Sequence, residues 1–197
     1  TEIVMNEFHA LFEYDHEKDM WTDTPPRVNI IRIGTCGAFH SDTPRGANII
    51  SRYAIGLDNL GVYYPAPKDR DPIVMEIETE FRKTLIGQVN PCAYASAASP
   101  EVVVLLEEAA RTIGETPLTP VGITTSAPGF FGPEGRRTGR MQTAFTTEKF
   151  LSVITAFHVG GGSQHADVRI LNTEMESSIL FRLANEQLGY RAGAICF

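Results

Sequence analysis

Arg32 is the side chain whose position asks most of its surroundings. It stands in Val28-Asn29-Ile30-Ile31-Arg32-Ile33, a β-branched run that leads straight into Gly34-Thr35-Cys36-Gly37. A guanidinium near the end of such a strand must be ion-paired or must bind an anion. A buried carboxylate meets the first demand. Thr35 serves the second, because it lies in a loop whose glycines let backbone N–H groups approach an oxyanion.

Two further stretches hold chemistry-bearing side chains beside apolar ones. Asn172-Thr173-Glu174-Met175-Glu176-Ser177 places two carboxylates around a methionine where a strand gives way to a helix. Acids in a first helical turn complement the helix dipole. One acid suffices for that, and a second carboxylate, with two acceptor oxygens, suits the paired hydroxyls of a sugar. Phe130-Phe131-Gly132-Pro133-Glu134-Gly135-Arg136-Arg137 sets aromatic faces beside an acid and two guanidinium groups. Such a loop is either a solvated salt bridge or a surface that stacks on and reads a planar heterocycle.

Other chemistries find less support. His9, His16, His40, His158 and His165 have no metal-ligand spacing, so no metal site is expected. No serine or cysteine sits in a nucleophile elbow. Gly160-Gly161-Gly162 lacks the lysine and the strand–helix setting of a phosphate loop. Cys36, flanked by glycine at a strand end, is either a reactive thiol or a packed inert one.

The elements that must position these residues alternate. An opening helix is expected from Ile3, Val4, Phe8, Leu11 and Phe12 on one face, then an exposed connection or short hairpin through Glu13 to Arg27. Val28 to Ile33 reads as a buried strand, Ala47 to Leu57 as a second, and Ile73 to Ile86 as a helix. Cys92 to Ala98 is a strand of small residues. Ser99-Pro100-Glu101 then starts a helix with a capping serine, a first-turn proline and an early acid, ending at Gly114. Pro120 to Ser126 is a strand, Lys149 to Phe157 a helix and Gly160 to Ser163 a flexible loop. Glu176 to Leu188 is a helix stopped by Gly189, followed by a final strand. Alternation of this kind predicts an α/β domain with helices covering a largely buried sheet, and ligands at the carboxyl ends of its strands.

Composition agrees and excludes other classes. The 197 residues are 43% hydrophobic and 21% charged, enough for one globular domain over 1–197 with a real core. Seventeen Lys plus Arg against 24 Asp plus Glu give a net charge of −7, with the basic residues scattered, which argues against a nucleic-acid or membrane-surface partner. Cys36, Cys92 and Cys196 have no CxxC spacing, so neither a disulfide framework nor a zinc site is expected, and the simplest compartment is a reducing cytoplasm. No apolar run is long enough to span a bilayer. Both ends read as cut, the first inside a helix and the last inside the apolar run Ala192 to Phe197, so the chain is expected to be an internal portion of its domain.

Taken together, Arg32 to Gly37, the Phe130 to Arg136 loop and Asn172 to Ser177, followed by an apolar helix and Arg191-Ala192-Gly193-Ala194, resemble the nucleoside phosphorylase family, most of all its bacterial uridine phosphorylases. The resemblance runs through nearly the whole chain, including the Asp42-Thr43-Pro44 turn and the Ser51 to Leu57 strand. It implies a three-layer phosphorylase-like fold, a mixed central sheet flanked by helices. It also implies a pentosyltransferase that uses inorganic phosphate as co-substrate, needs no other cofactor and works as a homo-oligomer, a dimer or a hexamer of dimeric units.

The resemblance also assigns roles. Arg32 and Thr35 fall where the family binds phosphate, Thr35 also near the ribose, and Cys36 and Gly37 against the base. Glu176 matches the glutamate that holds the ribose hydroxyls, Met175 the residue packed on the sugar, and Glu174 an acid at the base end. Phe130 and Arg136 match residues that flank and hydrogen-bond the pyrimidine. Arg32, Arg136 and Glu176 would carry the catalysis. Phosphate would attack the anomeric carbon while the base leaves, so the protein need supply no nucleophile.

One departure stands in the base loop. Glu134 occupies the place where uridine phosphorylases usually carry a glutamine, and an ionised carboxylate accepts hydrogen bonds only and repels negative charge on a leaving base. It is then protonated in a water-poor pocket, or paired with Arg136 or Arg137, or the base is not plain uracil. Members also more often have serine or threonine in place of Cys36. The family's first strand, with a glycine loop and a second phosphate-binding arginine, would precede Thr1, and a strand extension and helix would follow Phe197. The alternatives are a nucleosidase in which water replaces phosphate, a purine nucleoside phosphorylase, and a non-catalytic nucleoside-binding relative.

Overall fold

A computed structural model describes residues 1–113, 120–160 and 168–197. Helix α1 (Glu2–Glu13) forms where the apolar spacing places it, but with a different inner face. Met5 and Glu13 are buried and Phe8 of the expected face packs part-buried against the core, whereas Ile3, Val4, Leu11 and Phe12 are exposed. Burial follows what the helix can reach: Met5 enters the cluster around Leu180 and Leu183, and Glu13 accepts a hydrogen bond from the Tyr190 hydroxyl. The expected connection contains a small hairpin of β1 (Tyr14–Asp15) and β2 (Met20–Trp21).

Strands β3 (Asn29–Gly34), β4 (Gly37–Ala38) and β5 (Ile49–Gly56) lead to helices α2 (Pro72–Lys83) and α3 (Leu85–Val89). Asp71 caps α2 by accepting from the Ile73 amide, Pro72 opens its first turn, and Arg82 and Lys83 face the negative end of its dipole. Strand β6 (Tyr94–Ala97) precedes α4 (Pro100–Ile113), which begins directly after Ser99; that hydroxyl donates to the Glu101 carboxylate at 2.6 Å. Strand β7 (Val121–Ser126), helix α5 (Thr147–Ala156), and strands β8 (His158–Val159) and β9 (Val168–Glu174) follow. Helix α6 (Ser177–Phe181) widens into a π-helical turn, Arg182–Gln187, that closes just before Gly189 at φ 68°. Strand β10 (Arg191–Cys196) ends the chain's regular structure. The expected stop at Gly114 and the loop over Gly161 to Ser163 lie outside the described residues.

The described strands form an eight-stranded mixed sheet in the order β3-β10-β5-β7-β9-β4, with β6 beside β5 and β8 beside β9. Strands β5, β7 and β9 run parallel, as do β10 and β3, while β10 and β6 lie antiparallel to β5. The two ends of this order, β3 and β4, are separated in the chain by Thr35 and Cys36 alone. So short a link between opposite edges requires the sheet to curl back on itself. The carboxyl ends of β3 and β9, four places apart in strand order, are thereby brought together.

Alternation along β5 divides the core. Ile50 and Ala54 point to a cluster with Val102, Val103, Ile179 and Phe181 from α4 and α6, and Ile55 points to one with Ile77, Phe81, Phe150 and Ile154 from α2 and α5. Helices therefore pack on both faces, the α/β three-layer arrangement expected from the sequence. Strand β3 corrects the expectation of a buried strand: Ile31 is 48% and Ile33 72% exposed. It pairs only with β10 among the described residues, and no described helix lies over its outer face.

Candidate active site

Where the sheet curls, Arg32 meets three partners from distant segments. Its guanidinium pairs with Glu174 at 3.2 Å and with Glu176, and Nη1 donates to the Cys196 sulfur at 2.9 Å. Burial works against the Arg32 charge, and Glu174, Cys196 and Glu176 more than offset it, so its pKa is raised. Gly34 is what lets the side chain fold over its own strand. A Cβ on Gly34 would lie 2.6 Å from Nη1 and 2.8 Å from the guanidinium carbon. The sequence left Arg32 a choice between a buried carboxylate and an anion; Glu174, 1% exposed at its side chain, is that carboxylate.

Glu174 is engaged on both oxygens. Oε1 accepts from the Ser126 hydroxyl at 2.5 Å and the Ser177 amide at 3.0 Å, and Oε2 from the Glu176 amide at 2.8 Å. It thus satisfies amides at the start of α6, which an N-terminal acid is suited to do. Burial pulls its pKa upward, while Arg32, Ser126 and these amides favour the carboxylate. Glu176 differs from it in access: its side chain is 37% exposed, and its only described side-chain partner is Arg32.

Cys36 lies in side-chain contact with Cys196 from the end of β10. The hydrogen bond from Cys196 brings the Cys36 pKa down to about 7, with burial opposing it and Asn172 assisting. Cys196 is correspondingly raised, by that same hydrogen bond and by burial, so it keeps its proton. A cavity of about 300 Å³ opens beside Cys36, lined also by Ala38, His40, Arg45 and Phe197.

The base loop packs its acid inward. Glu134, at the end of the 3-10 turn Gly132–Glu134, is 1% exposed and pairs with Arg136 at 2.7 Å. Burial raises its pKa, against the pull of Arg136 and the neighbouring Thr173 hydroxyl. Gly135 makes the turn possible, with φ 69° and a Cβ position only 2.6 Å from the Thr146 carbonyl carbon. Thr173 lies opposite Gly37 where β4 pairs with β9. Gly37, Thr173, Glu134 and Arg136 thus form one continuous set.

Of the residues expected in a site, Arg32, Cys36, Glu174 and Glu176 converge directly, and Gly37, Glu134 and Arg136 join them through Thr173. Met175 sits between the two acids at 37% exposure. Thr35 and Phe130 are exposed on the same strand-end loops, and neither side chain is tied into the cluster by a hydrogen bond or ring contact. Glu174 occupies the arginine–helix junction, with both oxygens engaged there. Asn172 Nδ2, Thr173 Oγ1, Ser177 Oγ and Glu134 Oε1 are buried here without a formed hydrogen bond. Ser126, Thr173 and Cys196 were missed by sequence reasoning; Ser126 ends a strand ahead of a Gly/Pro loop, a signal that strand-end logic supplies. No group of three or more His, Cys, Asp or Glu among the described residues has the geometry to hold a metal ion.

The arrangement offers a cation at a glycine loop, a part-exposed carboxylate within its reach, and a second acid–guanidinium pair on an aromatic loop. Those parts suit an anion, a polyol and a planar polar ring side by side. A sequence profile described as the phosphorylase superfamily matches residues 28–197. Among solved structures, the chain is similar to a Trypanosoma brucei nucleoside phosphorylase whose structure is reported with uridine phosphorylase activity, at 30% identity and a TM-score of 0.84, covering 99% of this chain and 65% of that one. It shares a fold with isoform 2 of uridine phosphorylase from Schistosoma mansoni, at 20% identity and a TM-score of 0.62, covering 98% of this chain and 54% of that one. The chain therefore spans less than two-thirds of the length of either. No match was found among curated proteins.

Proposed function

The chain belongs to the phosphorylase superfamily, and from that premise we propose that it carries most of a site for phosphorolysis of uridine or a related pyrimidine nucleoside, yielding free base and ribose 1-phosphate. The observation that carries this reading is Arg32 poised between a buried partner and an exchangeable one. Glu174 neutralises and holds it; Glu176 can be drawn off by sugar hydroxyls, leaving the guanidinium to phosphate. The reported activity of the trypanosomal relative supports the same substrate class.

In this reading Arg32, with Thr35 in the following loop, holds the attacking phosphate, and Glu176 accepts from the ribose hydroxyls while Met175 packs on the sugar. A phosphate oxygen bonds to C1′ as the bond from C1′ to the base breaks, and the bonding pair leaves on the base, which then takes a proton from water. Positioning and charge supply the catalysis. Arg136 faces the negative charge that develops on the base, Phe130 flanks its ring, and Cys36 and Gly37 lie along it. Glu134 is compatible with uracil because burial favours its neutral acid, which has one donor and one acceptor as a glutamine amide has. Phosphate is the only co-substrate required, and the protein would work as a homo-oligomer, as the family resemblance implies.

The full-length protein is incubated with uridine, thymidine, cytidine and inosine, with and without phosphate, and base release is followed by absorbance. Turnover of uridine only with phosphate supports the reading. Release without phosphate points to a nucleosidase, preference for inosine to a purine enzyme, and tight binding without turnover to a non-catalytic relative.

A further inference from the structure

We propose that Ser126 is a positioning residue for this site, its buried hydroxyl fixing the carboxylate of Glu174, through which Arg32 and the start of α6 are both held. The argument begins with the direction of one proton. Ser126 is the last residue of β7, fully buried, and opposite Glu174 in the β7–β9 ladder. Its oxygen accepts the Ser178 amide at 3.0 Å, so its hydroxyl proton is free to point at Glu174 Oε1, 2.5 Å away. Ser178 is in turn immobilised: its hydroxyl donates to Asp58 at 3.0 Å and accepts from Tyr94 at 3.1 Å, and its carbonyl accepts from Ser96 at 2.8 Å.

Every group that reaches Glu174 is a donor: Ser126, the amides of Glu176 and Ser177, and Arg32. A carboxylate so surrounded has one orientation. Removing the Ser126 hydroxyl takes from the buried Ser178 amide its acceptor and leaves Glu174 Oε1 with the Ser177 amide alone. Glu174 then loses the donor that fixes it from the β7 side, and any turn of its carboxylate moves both Arg32 and the backbone that presents Glu176. The strand pairing itself does not depend on the hydroxyl, because the Ala127 amide still donates to the Glu174 carbonyl at 2.9 Å.

The ligand used here rests on the phosphorolytic reading, so binding is measured apart from turnover. Phosphate is titrated calorimetrically into the full-length protein and into Ser126→Ala and Ser126→Cys, with thermal midpoints recorded for each. Ser126→Ala is expected to weaken phosphate binding roughly tenfold. Ser126→Cys, which keeps a weak donor and acceptor in nearly the same volume, is expected to recover most of that loss. Phosphate affinity within twofold of the parent in a folded Ser126→Ala overturns the proposal, as does equal loss in both variants. A parent that binds phosphate without releasing base refutes the phosphorolytic reading while leaving this test intact. A parent that binds no phosphate overturns both.

Discussion

Arg32 and Glu176, 144 residues apart in the chain, share an ion pair that, in the proposed reading, phosphate and ribose would compete for. In that reading a phosphate draws Arg32 from Glu176, and a sugar draws Glu176 from Arg32. Either ligand breaks the pair for both. Such an arrangement couples the two sites, and the coupling is reciprocal.

Nucleoside and phosphate are therefore predicted to bind with positive cooperativity. A saturating, unreactive nucleoside analogue should lower the phosphate Kd by about fivefold or more, within the usual range of coupling between sites. Glu176→Gln should tighten phosphate in the absence of nucleoside, weaken nucleoside, and bring the coupling ratio close to one. Calorimetric titration of each ligand with and without the other measures it, and independent binding in the parent would refute it.

Gly34→Ala is predicted to act through Arg32 alone. The added methyl would sit 2.6 Å from Nη1, so the guanidinium must leave its seat between Glu174 and Cys196. The KM for phosphate should rise about tenfold while the thermal midpoint falls by only a few degrees, a split characteristic of a displaced ligand group. Steady-state kinetics with varied phosphate checks it.

Glu134 gives a pH-dependent prediction. Burial raises its folded pKa above the ordinary carboxyl value, so the folded state holds the proton more tightly than the unfolded chain does. Its contribution is favourable at low pH and is lost as pH rises through the folded pKa. Glu134→Gln should therefore raise the thermal midpoint more at pH 8 than at pH 5. It should also preserve or raise uridine turnover and remove the alkaline decline that ionised Glu134 imposes on it. Uridine turnover that drops sharply in the variant would refute the prediction.

Of the two thiols in the site, alkylation is expected to favour Cys36 over Cys196. A thiol brought down to about 7 is partly thiolate at neutral pH, and it is half-buried beside an open cavity, whereas Cys196 is fully buried and keeps its proton. Iodoacetamide at pH 7.5 followed by peptide mass mapping should find Cys36 modified well ahead of Cys196, and phosphate should slow the reaction. Modification of Cys196 first would contradict it.

Stability should depend on the α2–α5 face of the sheet. Phe81 is fully buried and meets Phe157 edge-to-face at 5.5 Å. Phe81→Ala is predicted to cost about 3–5 kcal/mol, measured by urea denaturation of the full-length protein.

Much of this was legible in the sequence because it is local. Helix α4 starts at Pro100, β7 ends at Ser126 and the last helical turn stops before Gly189, as capping and turn residues dictate. The inner face of α1 was not legible. Ile3, Val4, Phe8, Leu11 and Phe12 have helical spacing, but spacing cannot say which side meets the core, and of these only Phe8 packs inward, beside Met5 and Glu13. Strand β3 is composed like a buried strand, and among the described residues it pairs with β10 alone, which composition does not reveal.

The sequence by itself determined that Arg32 needs an anionic partner, that acids wait at a strand–helix junction, and that an aromatic loop carries an acid beside arginines. Those statements follow from side-chain chemistry and short-range spacing. Only the tertiary structure decided which acid holds the arginine from a buried position and which does so from a part-exposed one, that Cys196 and Ser126 belong to the same cluster, and that Glu134 turns inward. The reason is the two-residue link between β3 and β4. It makes the sheet curl until its edges meet, and so places side chains in contact that neither sequence separation nor strand order brings together.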